Sequence, residues 1–77
     1  MLTPIQLQEL VVTDLVRKAG GTKRRWRIAL GAVQVYPAET HPHCNWSVKP
    51  SGTTREIAAI ERLLDTVRLT HPLVAQG

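Results

Sequence analysis

Hydrophobic residues recur at helical spacing in two segments, one near each end of the chain. In the first segment they fall within about half of a helical wheel and are Ile5, Leu7, Val11, Val12, Leu15, Val16 and Ala19. Thr3 can cap such a helix, and Pro4 suits its first turn because the missing N–H costs nothing there. Gly20 and Gly21 are typical of a helix end. The pattern predicts an amphipathic helix over residues 4–19.

The second helical pattern covers residues 54–70. Thr53 and Glu56 have the spacing of a capping box, in which each side chain satisfies a backbone N–H at the start of the helix. A narrow apolar stripe follows, made of Ile57, Ile60, Leu63, Leu64 and Val67. Pro72 disfavours helical geometry at His71, so we expect the helix to end there. Residues 72–77 are predicted as a tail, with Leu73 and Val74 as candidates to pack onto the core.

Between these two helices, apolar residues recur at every second position instead of at helical spacing. Over residues 24–36 the apolar positions of the alternation are Trp26, Ile28, Leu30 and Ala32, which predicts a strand with one buried face. Val33 and Val35 fall on the other face, so the strand needs either a bulge at Gly31 or cover on both sides at its far end. A shorter alternation predicts a second strand over residues 44–49; its apolar positions are Cys44, Trp46 and Val48.

These elements predict a small single α+β domain over residues 1–77, in the order α-β-β-α. An antiparallel hairpin with Trp26 and Trp46 on one face packs against the two helices, because two strands alone are not stable.

Composition and cysteine count limit the class of protein. Of the 77 residues, 43% are hydrophobic and 21% charged, which is typical of a globular domain. The single cysteine, Cys44, cannot form an internal disulfide, and the N-terminus does not resemble a secretion signal, so we expect a cytoplasmic protein. No apolar stretch approaches the roughly 20 residues that cross a bilayer, so we expect no membrane span.

One segment carries a concentrated positive charge. Residues 17–27, here named the basic joint, contain no acidic residue and surround the Gly20-Gly21 pair with six cations: Arg17, Lys18, Lys23, Arg24, Arg25 and Arg27. The formal net charge of +4 originates in this segment. A local positive field of this kind attracts phosphate groups and acidic surfaces.

We therefore predict a small non-enzymatic binding module that contacts nucleic acid, or another polyanion such as an acidic protein surface, through the basic joint. Arg24, Arg25 and Arg27 are the expected main contacts, turned outward as one unneutralised cluster, and Lys23 and Arg17 are auxiliary. The sequence has no helix-turn-helix, zinc-finger or RNA-binding signature, so only sequence-tolerant contact is predicted. The structural alternative is that cations on an exposed strand discourage edge-to-edge aggregation.

A second hypothesis is a protein-interaction or regulatory module, or a homodimer, in which the basic residues serve solubility only. Leu10 lies outside the apolar arc of the first helix, and Leu69 lies outside the stripe of the second. Together with an uncovered hairpin face, these leucines could form an interface, and association is a common route to a sufficient core in small domains.

His41, His43 and Cys44 are weak candidates for a metal site, with His71 as a fourth ligand. Structural zinc sites usually pair ligands across about two to four residues in two separate places, and only a lone histidine completes this set. Cys44 shares the side of Trp46, which favours a buried, inert thiol. We predict no metal, no cofactor and no enzymatic activity, because no phosphate loop or nucleophile elbow accompanies the cysteine.

Overall fold

The first helix lies where its apolar period and capping residues predict it. In the structure, a computed structural model that describes residues 1–76, α1 spans Pro4–Ala19. The backbone N–H of Gln6 donates to Thr3 Oγ1 at 3.1 Å, and the backbone N–H of Thr3 donates to Gln6 Oε1 at 3.0 Å. This capping box fixes the start of α1. The buried residues of the helix are Leu7, Val11, Val12 and Leu15.

Residues 23–30 form a helix, and the prediction of a strand over 24–36 is wrong for this segment. The helix α2 spans Lys23–Leu30 and buries Trp26, Ala29 and Leu30. Those three residues have the spacing of one helical face, whereas Ile28, which a strand would bury beside Leu30, is 58% exposed. A segment of only eight residues fits both a helical period and a period of two. The helical period buries the Trp26 indole and leaves the three arginines of α2 exposed to solvent.

The ends of α2 are set by a threonine and a glycine. The N–H of Arg25 donates to Thr22 Oγ1 at 3.2 Å, so Thr22 is the N-cap. Gly31 has φ of +72° and donates its N–H to the carbonyl of Arg27 at 2.9 Å. Gly31, where the predicted strand needed either a bulge or cover on both faces at its far end, is instead the terminus of a helix, and a positive φ favours glycine there.

The hairpin is antiparallel, as predicted, but much shorter. Strand β1 spans Gln34–Val35 and β2 spans Trp46–Ser47, with Gln34 opposite Ser47 and Val35 opposite Trp46. The prediction that Trp26 shares a hairpin face with Trp46 is wrong, because Trp26 belongs to α2. The loop between the strands contains two prolines, which cannot donate to a sheet ladder.

The last helix, α3, spans Thr54–Thr70 and begins with the predicted capping box of Thr53 and Glu56. Its buried residues are Ile60, Leu63, Leu64 and Val67. After the helix the chain returns to the core, where Val74 is 1% exposed and Ala75 N–H donates to the Leu2 carbonyl at 2.8 Å. The final residue of the predicted tail, 77, lies outside the described residues.

The element order is α1-α2-β1-β2-α3, so the predicted order α-β-β-α is corrected by the added helix, while the α+β content with an antiparallel hairpin is confirmed.

Both tryptophans are buried and donate hydrogen bonds from their indole N–H groups. Trp26 Nε1 donates to the Gly20 carbonyl at 2.7 Å, and Trp46 Nε1 donates to the His71 carbonyl at 2.8 Å. Throughout residues 1–76, no helix has both the length and the apolar character needed to cross a membrane.

Candidate functional site

The basic joint covers the last turn of α1, the turn at residues 20–22 and most of α2. Arg17 and Lys18 lie in the last turn of α1, and the other four cations lie on α2. All six of these residues are exposed. The first turn of α2 holds cations and no acidic residue, although the positive end of a helix dipole favours anions there.

Arg25 is held by a carboxylate from α3. Its Nε donates to Glu56 Oε2 at 2.7 Å, and its Nη2 donates to Glu56 Oε1 at 2.6 Å. Glu56 Oε1 also accepts the N–H of Thr53 at 2.9 Å. Hydrogen bonds from Arg25, followed by the Thr53 N–H, lower the pKa of Glu56 from 4.5 to about 2. The pair links the first turns of α2 and α3.

Arg27 is held by a carboxylate from α1. Its Nε and Nη2 donate to the two oxygens of Glu9 at 2.8 and 3.0 Å. The hydrogen bonds from Arg27 lower the pKa of Glu9, and the charges of Arg27 and Lys23 act in the same direction. The expectation of an unneutralised cluster is therefore wrong for Arg25 and Arg27. Arg17 makes a looser, exposed pair with Asp14 at 3.7 Å, which contributes little.

Three cations of the joint keep their charge unpaired. Within residues 1–76, Lys18, Lys23 and Arg24 form no ion pair. Lys23 and Arg24 begin α2 and Lys18 lies near the end of α1, so the three flank the exposed glycine turn. The basic joint thus combines two arginines that carboxylates hold in place with three cations that are available to bind an external anion.

The paired arginines retain donors of their own. Both ion pairs use Nε and Nη2, and a guanidinium carries further N–H groups on Nη1. The side chains of Arg25 and Arg27 are 48% and 44% exposed. An anion can therefore approach the unused edge of each guanidinium.

The candidate metal ligands have other surroundings. The His41 ring stacks on Tyr36 with 4.6 Å between the ring centroids, and its Nδ1 lies 2.9 Å from Thr40 Oγ1. Cys44 is half-buried, packs against the core and donates from Sγ to the Trp46 carbonyl at 3.4 Å. Across residues 1–76, no three His, Cys, Asp or Glu side chains group as a metal site would require.

The two leucines of the second hypothesis differ in exposure. Leu10 is half-buried and packs against the core, whereas Leu69 is 85% exposed. Ile5 is also exposed, at 74%. Ile28 on α2 is a further exposed apolar residue that the strand prediction placed inside.

Sequence reasoning missed the carboxylates that pair with the joint. Glu9 and Glu56 lie 18 and 31 residues from their arginines, and Glu56 is recognisable in the sequence only as a capping residue. Comparison of the chain with protein-family models, with curated proteins and with solved structures gives no match.

Proposed function

We propose that this chain is a non-enzymatic module that binds nucleic acid through the basic joint, without sequence preference. The observation that carries the proposal is that Lys18, Lys23 and Arg24 are exposed around one turn and that none of the three has an ion-pair partner among residues 1–76. Solvated faces usually mix both signs of charge, and an unbalanced group of cations suits phosphate contacts.

The position of the cations on α2 supports the same function. Lys23, Arg24 and Arg25 occupy the first turn, where the helix dipole disfavours positive charge. The pair with Glu56 accounts for Arg25, but Lys23 and Arg24 form no ion pair within residues 1–76 that would offset the dipole. A phosphate at the same position would interact favourably with the dipole and with the cations together.

The contacts are proposed in two groups. Lys23 and Arg24, with Lys18 beside the turn, are the principal phosphate contacts because none of the three forms an ion pair within residues 1–76. Arg25 and Arg27 contribute the Nη1 edges that their ion pairs leave unused. Two guanidinium groups held by carboxylates, next to three unpaired cations, can contact a phosphate backbone without reading bases.

Fluorescence anisotropy with labelled oligonucleotides tests the proposal. We expect saturable binding of unrelated sequences with similar Kd, and log K should fall linearly with log salt. Three to five duplex phosphate contacts give a slope of about −3 to −4.5. Absence of binding at low salt, or binding that does not respond to salt, would contradict the proposal. Binding of heparin but not of oligonucleotides would reassign the surface to another polyanion.

A second candidate function is self-association or docking of a protein partner, favoured by the exposure of Leu69 and Ile5. Single exposed apolar residues are common, so they support association less strongly than the unpaired cations support nucleic-acid binding. Sedimentation equilibrium tests it. A concentration-dependent dimer that persists at high salt and is lost in Leu69→Gln would support association, and a monomer at every concentration would count against a homodimer.

A further inference from the structure

A groove of about 410 Å³ lies between the C-terminal end of α1 and the middle of α3. Ala19 and Ala59 contribute only methyl groups, so the two helices leave space beside the core. The apolar residues that line the groove are Leu15, Ala19, Ala59 and Leu63. A surface of this kind accommodates an aliphatic chain.

Two cations line the same groove. Lys18 comes from α1 and Arg62 from α3, both are exposed, and neither forms an ion pair within residues 1–76. The nearby acids Asp14 and Asp65 form their ion pairs with Arg17 and Arg68, at 3.7 and 3.5 Å. An apolar surface flanked by free cations is complementary to a molecule with an aliphatic chain and an anionic head.

The size of the groove decides the kind of occupant. A protein partner covers about 20 to 30 residues on each side of a stable interface, and this groove has seven lining residues. Small-molecule pockets have volumes of about 300–1,000 Å³, and the groove is within that range. The groove therefore suits a small molecule better than a protein partner.

We propose that the groove between α1 and α3 binds a fatty acid. The aliphatic chain lies against the alanines and leucines of the groove, and the carboxylate pairs with the guanidinium of Arg62 and the ammonium of Lys18. Thr66, which also lines the groove, provides a hydroxyl donor for the same carboxylate. The site shares Lys18 and Ala19 with the basic joint, and it goes beyond the proposed nucleic-acid function through its residues on α3, which lie outside the joint.

The experiment is an NMR titration of the ¹⁵N-labelled chain with decanoate, below the concentration at which it forms micelles. We expect saturable shifts of the backbone amides of Leu15, Ala19, Ala59 and Leu63. Acetate at equal concentration should not move them, because it has the anionic head without the chain. From hexanoate to decanoate, Kd should fall about two- to fourfold for each added methylene that the groove buries.

Two variants with matched controls test the two halves of the site. Arg62→Gln should weaken decanoate binding about tenfold by removing a charge-assisted pair, and Arg55→Gln, an exposed arginine of the same helix outside the groove, should not. Ala19→Leu should abolish binding by filling the groove, whereas Ala32→Leu at another exposed position should leave it intact.

The proposal is overturned by any of three results: no saturable shifts with decanoate, equal shifts with acetate, or equal effects of Arg62→Gln and Arg55→Gln. Failure of this inference can be distinguished from failure of the proposed function, because Arg62 is not one of the proposed phosphate contacts and Lys18 is the one contact that the two surfaces share. A chain that binds decanoate but not oligonucleotides would keep this inference and lose the proposed function.

Discussion

The side chain of Asn45 and the backbone of Val74 exchange two hydrogen bonds. Asn45 Nδ2 donates to the Val74 carbonyl at 2.9 Å, and the Val74 N–H donates to Asn45 Oδ1 at 2.8 Å. Asn45 is fully buried, and its own N–H donates to the Pro72 carbonyl at 3.1 Å. The side-chain amide of Asn45 thus pairs with the backbone of the chain after α3, as a neighbouring strand would, and holds Val74 in the core.

Asn45→Ala is therefore expected to destabilise the fold by about 2–4 kcal/mol, because it leaves the N–H and carbonyl of Val74 without partners. The free energy of unfolding in urea measures the change. Gln34→Ala removes an exposed amide from β1 and should cost less than about 0.5 kcal/mol. An equally small cost for Asn45→Ala would show that the two hydrogen bonds do not hold the tail.

The pair of Arg25 and Glu56 gives the stability a defined pH dependence. The pKa of Glu56 is about 2 in the folded chain and near 4.5 when unpaired, so the unfolded chain binds the proton more readily. The stabilisation is fully present above pH 4.5 and is lost as the pH falls toward 2. Glu9 acts in the same direction, since Arg27 lowers its pKa.

The ¹³C chemical shift of the Glu56 carboxyl group reports its pKa directly. Arg25→Gln should raise the pKa of Glu56 toward 4.5, although the Thr53 N–H continues to lower it. Arg55→Gln removes an arginine of α3 that forms no ion pair within residues 1–76, and it should leave the low pKa in place. A pKa of Glu56 that is the same in both variants would argue against the pair in solution.

Ile28 and Leu30 distinguish the helix from the strand that the alternation predicts. Because Ile28 is 58% exposed and Leu30 is fully buried, Ile28→Gln should change stability by less than about 0.5 kcal/mol, while Leu30→Ala should cost about 2–5 kcal/mol. Thermal unfolding monitored by circular dichroism measures both. A strand would bury the two residues on one face, so similar large costs would contradict the helix.

The contrast between α2 and the other helices shows how far sequence patterns determine the fold. The segments of α1 and α3 are 16 and 17 residues long, and over that length only a helical period places the apolar residues on one face. The eight residues of α2 satisfy both periods. The local signals that distinguish them are Thr22 and Gly31, a cap and a terminator at the two ends.

Gly31→Ala tests that terminator. Gly31 has φ of +72° and ψ of −167°, a conformation almost exclusive to glycine, and a Cβ there would meet no atom within 4 Å. The cost is therefore a backbone cost alone, about 1–3 kcal/mol in the free energy of unfolding. An unchanged free energy of unfolding would mean that residue 31 does not end α2 with a positive φ.

The sequence predicts the cations of the candidate site but not the carboxylates that pair with them. The six basic residues stand together in the sequence, so their proximity needed no fold. The carboxylates of Glu9 and Glu56 reach them only because α1 and α3 pack beside α2, which no local pattern indicates. The pairing moves the expected phosphate contacts from Arg25 and Arg27 toward Lys23 and Arg24.

The most direct test of the account is the salt dependence of oligonucleotide binding by Lys23→Gln/Arg24→Gln, compared with Lys49→Gln/Arg55→Gln. Each double variant removes one exposed lysine and one exposed arginine, none of which pairs with a carboxylate within residues 1–76. We predict that the first double variant weakens binding and reduces the slope of log K against log salt by about 2, while the second leaves the slope unchanged. Equal slopes for the two variants would show that net charge alone attracts the nucleic acid and that the basic joint is not its binding surface.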